Sequence, residues 1–208
     1  MLVRTNAWFF SILFLLATPV WAGFDEGIEY KTVSPRVANH IDEKKSEVVE
    51  LFWYGCSHCF DFEPNLHKWL KAKPKNVNFV RIPAVFNKRW ELHARAYYTA
   101  EVLGVLDKIH QPLFDAMHLK KQKMATSGEL AAFFVKHGVS KETFMETFNS
   151  FSVDSKVRRA TDLTKRYGID GVPTLVVNGK YRSTGSLAGG RENMLKVVDH
   201  LIKQEAKK

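Results

Sequence analysis

Two cysteines in 208 residues leave little for cysteine to do structurally. One pair cannot supply the several bridges that staple a small secreted scaffold. With scattered histidines and no second cysteine pair, it also falls short of the four ligands of a structural zinc site. The one long apolar run, Ala7 to Ala17, is too short to span a bilayer comfortably. No internal repeat or low-complexity segment is present. Acidic residues are in deficit, 22 against 31 Lys and Arg, for a net charge of +9. Such a balance suits a nucleic-acid or anionic-surface partner. Here the basic residues are dispersed through helical patterns, the one clear cluster is Lys203–Lys208, and no nucleic-acid motif occurs. The charge therefore reads as a solvated basic surface, with no nucleic-acid partner.

What is present begins with a leader. Arg4 supplies a positive start, Ala7–Ala17 an apolar core, Pro19 a break, and Val20-Trp21-Ala22 leaves small residues at −3 and −1 for cleavage after Ala22. Residues 1–22 read as a signal peptide, and export places the chain in an oxidising compartment. About 186 residues remain, with a net charge of +8 (30 basic against 22 acidic). That length suits one large domain or a domain carrying an insertion. An apolar content of 45% is ample for a core.

The chain is organised around Glu50–Pro64, E-L-F-W-Y-G-C-S-H-C-F-D-F-E-P. Val48–Tyr54 is short, aromatic and β-branched, and stops at Gly55, which predicts a buried strand. Phe60–Leu70 has helical spacing, with Phe62, Leu66, Trp69 and Leu70 available for one face. Cys56 and Cys59, with Ser57 and His58 between them, thus fall where a strand feeds a helix, the setting of a redox C-x-x-C. Residues three apart on a helix lie within disulfide reach. Cys56 at the helix N-terminus meets free N–H groups and the positive end of the macrodipole, so its thiolate is favoured and its pKa drops. His58 adds to this if it is protonated or donates a hydrogen bond. A stabilised thiolate makes the disulfide form oxidising. Cys59, one turn on, is expected to be the more buried partner. A structural bridge across so short a loop would be a poor staple, and a c-type haem site needs His where Phe60 stands.

Strand alternation puts Val48, Glu50, Phe52 and Tyr54 on one face and Val49, Leu51 and Trp53 on the other. Glu50 reads two ways: a desolvated carboxylate with raised pKa that relays a proton to and from Cys59, or an ordinary glutamate reaching water at the strand's start. Asn76–Pro83 is a second strand on which Arg81 shares a face with Val77 and Phe79. Arg81 is a partner for Glu50, or else packs its stem and snorkels. Residues 28–33 alternate like an edge strand. Pro64 removes a backbone bond from the first helix and predicts a kink.

From Arg89 to Tyr167 the pattern is helical. The stretches are Glu91–Leu103, Asp107–Leu119, a capping box at Thr126–Glu129 opening a helix to Gly138, Ser140–Phe151 and Ser152–Tyr167. His93, His110, His118 and His137 are scattered among them in no metal-ligand spacing and read as surface or core residues. Thr174–Val177, Asn178-Gly179 and Lys180–Ser183 predict a hairpin. Pro173 at its start lacks a donor and suits a cis bond, which would leave Val172 free to pair with an extended peptide. A final helix spans Glu192–Ile202. The sequence therefore predicts an α/β fold: a sheet domain at 23–88 and 168–208 interrupted by a helical insertion at 89–167.

These pieces in this order closely resemble the DsbA-type thiol:disulfide interchange proteins of the bacterial periplasm. They are an exported leader, a strand with a buried-looking Glu50, F-W-Y-G, C-x-H-C-F-x-F-E-P, a helical insertion and G-V-P-T-L-V-V-N-G-K-Y. The resemblance covers essentially all of the chain beyond the leader. It implies a thioredoxin fold with an inserted helical domain and a strongly oxidising pair with a depressed cysteine pKa, both properties inherited from the family. It implies that Cys56 is the exposed reactive cysteine, Cys59 the buried one and His58 the residue that stabilises the thiolate. Val172 and Pro173 would form a cis-proline loop facing the disulfide and the substrate. Glu50 matches the family's buried acidic residue, and Arg81 stands where a basic partner is common. Implied partners are reduced or unfolded exported proteins and a quinone-linked inner-membrane reoxidising protein of DsbB type. The chain would act as a monomer without metal or cofactor. Ser57 departs from the family's usual Pro in the Pro-His dipeptide. It frees φ and restores an N–H, so the pair is expected to stay oxidising at an altered potential. A periplasmic isomerase or reductase, or a non-enzymatic peptide-binding chaperone, would use the same fold.

Overall fold

The computed structural model describes residues 23–38 and 45–206; the leader at 1–22, its cleavage site and the last two lysines lie outside the described residues. A five-stranded sheet has the order β1-β5-β4-β2-β3. The strands are β1 Lys31–Thr32, β2 Ser46–Phe52, β3 Val77–Pro83, β4 Thr174–Val177 and β5 Tyr181–Thr184. Only β2 and β3 are parallel; β1, β5, β4 and β2 pair antiparallel. A parallel pair needs a crossover, and helix α1 (Ser57–Ala72) supplies it.

Helices α2 Lys88–Val102, α3 Leu106–His118, α4 Ser127–Lys136, α5 Lys141–Phe148 and α6 Phe151–Arg166 follow one another between β3 and β4, and α7 Arg191–Glu205 closes the described chain. The sheet separates two cores. Val48, Val77, Leu175 and Val177 pack with Phe62, Leu66 and Trp69 of α1 and with Met194, Val198 and Leu201 of α7. Val49, Leu51 and Val176 pack instead with the helical segment, through residues such as Phe114, Phe134, Phe144 and Leu163. Both faces of β2 are therefore covered, and its apolar run is buried from end to end, as suits a central strand. Each fully buried Leu or Phe side chain contributes roughly 1.5–3 kcal/mol.

Several boundaries differ from the sequence expectation. Strand β2 begins two residues early and ends at Phe52, leaving Trp53–Gly55 in the turn. The edge strand expected at 28–33 shrinks to Lys31–Thr32, because residues 25–30 form a tight turn closed by Gly27 N–H donating to the Tyr30 carbonyl. The break between α5 and α6 falls at Asn149–Ser150, where the Ser150 hydroxyl caps α6 by accepting from the Val153 N–H. Helix α2 begins at Lys88, three residues ahead of the expected start, with Asn87 as its cap. The capping box at Thr126 and Glu129 forms with both reciprocal bonds. Helix α1 continues through Pro64. Asn178 and Gly179 (φ 52° and 62°) make the hairpin turn. A Cβ on Gly179 would meet the Val37 carbonyl oxygen at 1.9 Å, so no other residue fits there.

Candidate active site

Strand β2 aims its C-terminal end at the start of α1. After Phe52 the chain turns through Trp53, Tyr54 and Gly55, and the Cys56 N–H donates to the Trp53 carbonyl at 3.0 Å. The Trp53 indole folds back over Gly55, where a Cβ would lie 2.4 Å from the ring. The indole in turn stacks on Trp90 of α2, with centroids 4.3 Å apart and planes 8° from parallel. The turn is thus wedged against the helical segment, and glycine at position 55 is what lets the ring lie there.

Cys56 is the N-cap residue of α1, with extended backbone angles. A cap side chain sits where the first amides of a helix lack partners. As a thiol, Cys56 Sγ donates to the Val172 carbonyl at 3.4 Å. As a thiolate it is favoured first by the Cys59 S–H, against the opposing effect of burial, and then by the backbone N–H groups of Cys59 and His58 and by the charge of His58; its pKa falls to about 6. Ser57 and His58 are exposed. The His58 ring meets Arg191, Nδ1 lying 3.3 Å from Nη1. Cys59 is fully buried. Burial and the adjacent Cys56 push its pKa well up, and the charge of Glu50 adds to this. The pair is split: one sulfur poised as an anion, the other held as a thiol.

Glu50 lies on the face of β2 that packs against α1, and parallel register sets it opposite Arg81 of β3. Arg81 Nε donates to Glu50 Oε2 at 2.9 Å, while Oε1 is buried without a partner among the described residues. Complete burial raises the Glu50 pKa to about 8, against the pull of Arg81 and with help from Glu63. The water-reaching alternative for Glu50 is thereby set aside, since the residue has no exposed surface. Arg81 also holds Glu63 of α1 through Nη2, at 3.0 and 3.3 Å. Burial alone would raise Glu63, but His110, Arg81 and His67 outweigh it and its pKa is lowered. One guanidinium thus serves two buried carboxylates of opposite tendency.

Sequence reading did not single out Glu63, His110 or Arg191. Glu63 sits four residues after Cys59 on the buried face of α1, so a carboxylate in an apolar helical row was the available signal. His110 is buried on α3; Tyr54 Oη and its Nδ1 are 2.9 Å apart, and its Nε2 lies 3.5 Å from Glu63 Oε1. The sequence places it only among the surface or core histidines, about 50 residues from the cysteines. His93 and His118 remain outside the pair's immediate chemistry: His93 Nε2 contacts the Met124 carbonyl and His118 Nε2 the Tyr54 carbonyl.

Val172-Pro173 is cis and stands beside Cys56. It forms one wall of a groove of about 980 Å³ that also involves His58, Asp61 and Asn65 of α1 and residues 184–187 and 190–192. The groove is open to solvent, and Val172 in its wall contacts the Cys56 sulfur. Among the described residues no cluster of His, Cys, Asp and Glu could hold a metal ion.

The Cys56 chemistry makes a direct prediction. In the reduced protein, the ultraviolet absorbance of the thiolate should titrate with a midpoint near pH 6. Replacing Cys59 with Ala removes the foremost stabilising donor and should move the midpoint up by about one unit. A midpoint unmoved by Cys59→Ala would assign the stabilisation to the helix amides instead.

The family described as DSBA-like thioredoxin domain matches residues 47–201. The thiol:disulfide interchange protein DsbA of Azotobacter vinelandii is 47% identical over 161 residues, covering 77% of this chain and 75% of that one. Its counterpart from Pseudomonas aeruginosa is 46% identical over the same length, covering 77% and 76%. The crystal structure of Pseudomonas aeruginosa DsbA superposes with a TM-score of 0.82 at 44% identity, covering 88% of this chain and 96% of that one.

Proposed function

From the premise that this chain belongs to the DsbA-like thioredoxin-domain family and is a thiol:disulfide oxidoreductase, we propose that it works as a dithiol oxidase on reduced, newly exported proteins in the periplasm. The observation that carries the direction of the reaction is the split pair: Cys56 favoured as thiolate with a pKa of about 6, and Cys59 held as thiol. A pair whose reduced form is stabilised gives its disulfide away.

In the oxidised enzyme, a substrate thiolate attacks Cys56 Sγ and forms a substrate–Cys56 disulfide. The Cys56–Cys59 bond breaks and its electron pair leaves on Cys59. Glu50, protonated near neutral pH, gives its proton toward the buried Cys59 sulfur, and Arg81 at 2.9 Å balances the carboxylate left behind. A second substrate thiolate then attacks the substrate sulfur of the mixed disulfide, and Cys56 departs as the stable thiolate. Two electrons pass from substrate to enzyme, and the substrate keeps the disulfide. His58 supports the Cys56 anion, Ser57 tunes it through its added N–H, and Val172 and Pro173 seat the substrate segment beside the sulfur. A quinone-linked inner-membrane protein of DsbB type takes the two electrons and restores the disulfide. The leader at 1–22 carries the chain to the periplasm, and the boundaries 23–88, 89–167 and 168–208 divide it into a split sheet domain and its helical insertion. The protein acts as a monomer.

The test is the equilibrium of Cys56 and Cys59 against a glutathione redox series. A potential near about −120 mV, the reference value for this family's strong oxidants, is the expected result. One near about −270 mV would mark a dithiol that reduces other proteins and would overturn the oxidase direction. In the same assay Ser57→Pro should shift the equilibrium measurably, because it removes the N–H and fixes φ.

A further inference from the structure

Arg191 lines the groove and has no part in the interchange chemistry described above. Arg191 is the first residue of α7 and follows Gly190, whose φ of 143° lies in the region that favours glycine. The turn through residues 185–190 delivers the guanidinium to the first turns of α1. There Nη1 lies 3.3 Å from His58 Nδ1 and Nη2 lies 3.6 Å from Asp61 Oδ2. The arginine side chain is 39% exposed and that of Asp61 47%.

A guanidinium carries five N–H donors in a fixed fork. Nη1 donates to His58 Nδ1 only while that nitrogen carries no proton, Nη2 faces Asp61, and Arg191 has no other partner among the described residues. The Asp61 contact lies beyond hydrogen-bonding distance, and an ion pair between half-exposed charges is weak. A carboxylate arriving in the groove can therefore join the fork, or displace Asp61 from it, at little cost. The groove's other charges are mixed: Lys31 and Arg182 oppose Asp170 and Glu192. Its general field favours neither sign. Arg191 alone among its cations makes a hydrogen-bond or ion-pair contact with the active-site turn, through His58 two residues after Cys56.

We propose that Arg191 is a specificity-determining residue that favours substrate segments carrying Asp or Glu beside the reacting cysteine. The assignment rests on the interchange reading and on the groove as the substrate's seat. A substrate whose sulfur lies at Cys56 and whose chain passes Val172 brings its neighbouring side chains past His58 and Arg191. A carboxylate there accepts two parallel N–H bonds from the guanidinium, a geometry a lysine cannot offer. The contact forms with the bound segment and is absent from the free enzyme, so it appears in kcat/KM.

The experiment uses two peptides, each with two cysteines, that differ only in the residue beside the first cysteine, Glu in one and Gln in the other. Their kcat/KM values are compared after each is divided by that peptide's own rate with oxidised glutathione, which removes the effect of Glu on thiol reactivity. A Glu/Gln ratio of about twofold to fivefold is expected. It should fall to about one in Arg191→Met, persist in part in Arg191→Lys and drop below one in Arg191→Glu. Because a ratio is read, a general loss of rate does not imitate the result. In the unaltered protein the ratio should decay as salt rises from about 0.01 M to about 1 M, since the charges are exposed. A ratio of one in the unaltered protein, one that survives in Arg191→Met, or one indifferent to salt overturns the assignment. Failure to oxidise either peptide overturns the interchange reading itself, and this assignment with it.

Discussion

Cys56→Ser should reduce thiol:disulfide interchange to the uncatalysed rate, and Cys59→Ser should fail differently. Only a thiolate attacks a disulfide. Cys56 is partly exposed and has its pKa drawn down to about 6, so near neutral pH it is mostly anionic. Cys59 is buried and its pKa is pushed up, so it cannot take over. With oxidised glutathione, the Cys59→Ser protein should therefore accumulate a mixed disulfide on Cys56, visible as one added glutathione by mass spectrometry. Cys56→Ser should accumulate none. A glutathione adduct on Cys59 in the Cys56→Ser protein would contradict the assignment of reactive and buried sulfurs.

The second large effect lies beneath the pair. Arg81→Met leaves Glu50 and Glu63 buried without their guanidinium. Removing one partner of a buried ion pair costs about 3–5 kcal/mol, read as a fall in urea-unfolding free energy near neutral pH. The loss should shrink in acid. Glu63 has a lowered folded pKa, so its contribution is present above the unfolded value and disappears as pH falls through the folded one. Below that, both carboxylates are protonated in either protein, and less remains for Arg81 to stabilise.

Glu50→Gln should act in the opposite direction. The folded pKa of Glu50 is raised to about 8 from 4.5. Between those values the unfolded chain releases a proton that the folded protein keeps, so the stability contribution of Glu50 is full below 4.5 and is lost as pH rises toward 8. The amide that replaces the carboxyl does not titrate. The stability difference in favour of Glu50→Gln should therefore grow from about pH 5 to about pH 8, while oxidase turnover falls for want of the proton donor. A difference that is flat with pH would mean Glu50 is ionised throughout and cannot supply the proton.

The sequence by itself determined the local elements and the reactive centre. A β-branched and aromatic run ended by Gly55, a C-x-x-C and an amphipathic stretch read as strand, turn and helix, and that placement puts Cys56 at a helix N-terminus. The Asn178-Gly179 hairpin and the Thr126 capping box were equally legible, because turn and cap chemistry is local. Strand alternation placed Glu50 and Arg81 in apolar rows, which raised their pairing as one of two readings. Choosing between the readings needed the parallel register of β2 and β3, which sets the two residues opposite each other. The rest was decided by packing between elements distant in sequence. Helix α3 brings His110 to Glu63, so one carboxylate beneath the pair is held by a residue of the helical segment. Helix α7 brings Arg191 to His58 across 133 residues. Neither contact has a periodicity to betray it, because each depends on how a sheet and its covering helices close over one another. The chemistry of the pair was written locally; the contacts of Glu63 with His110 and of His58 with Arg191 were left to the tertiary structure.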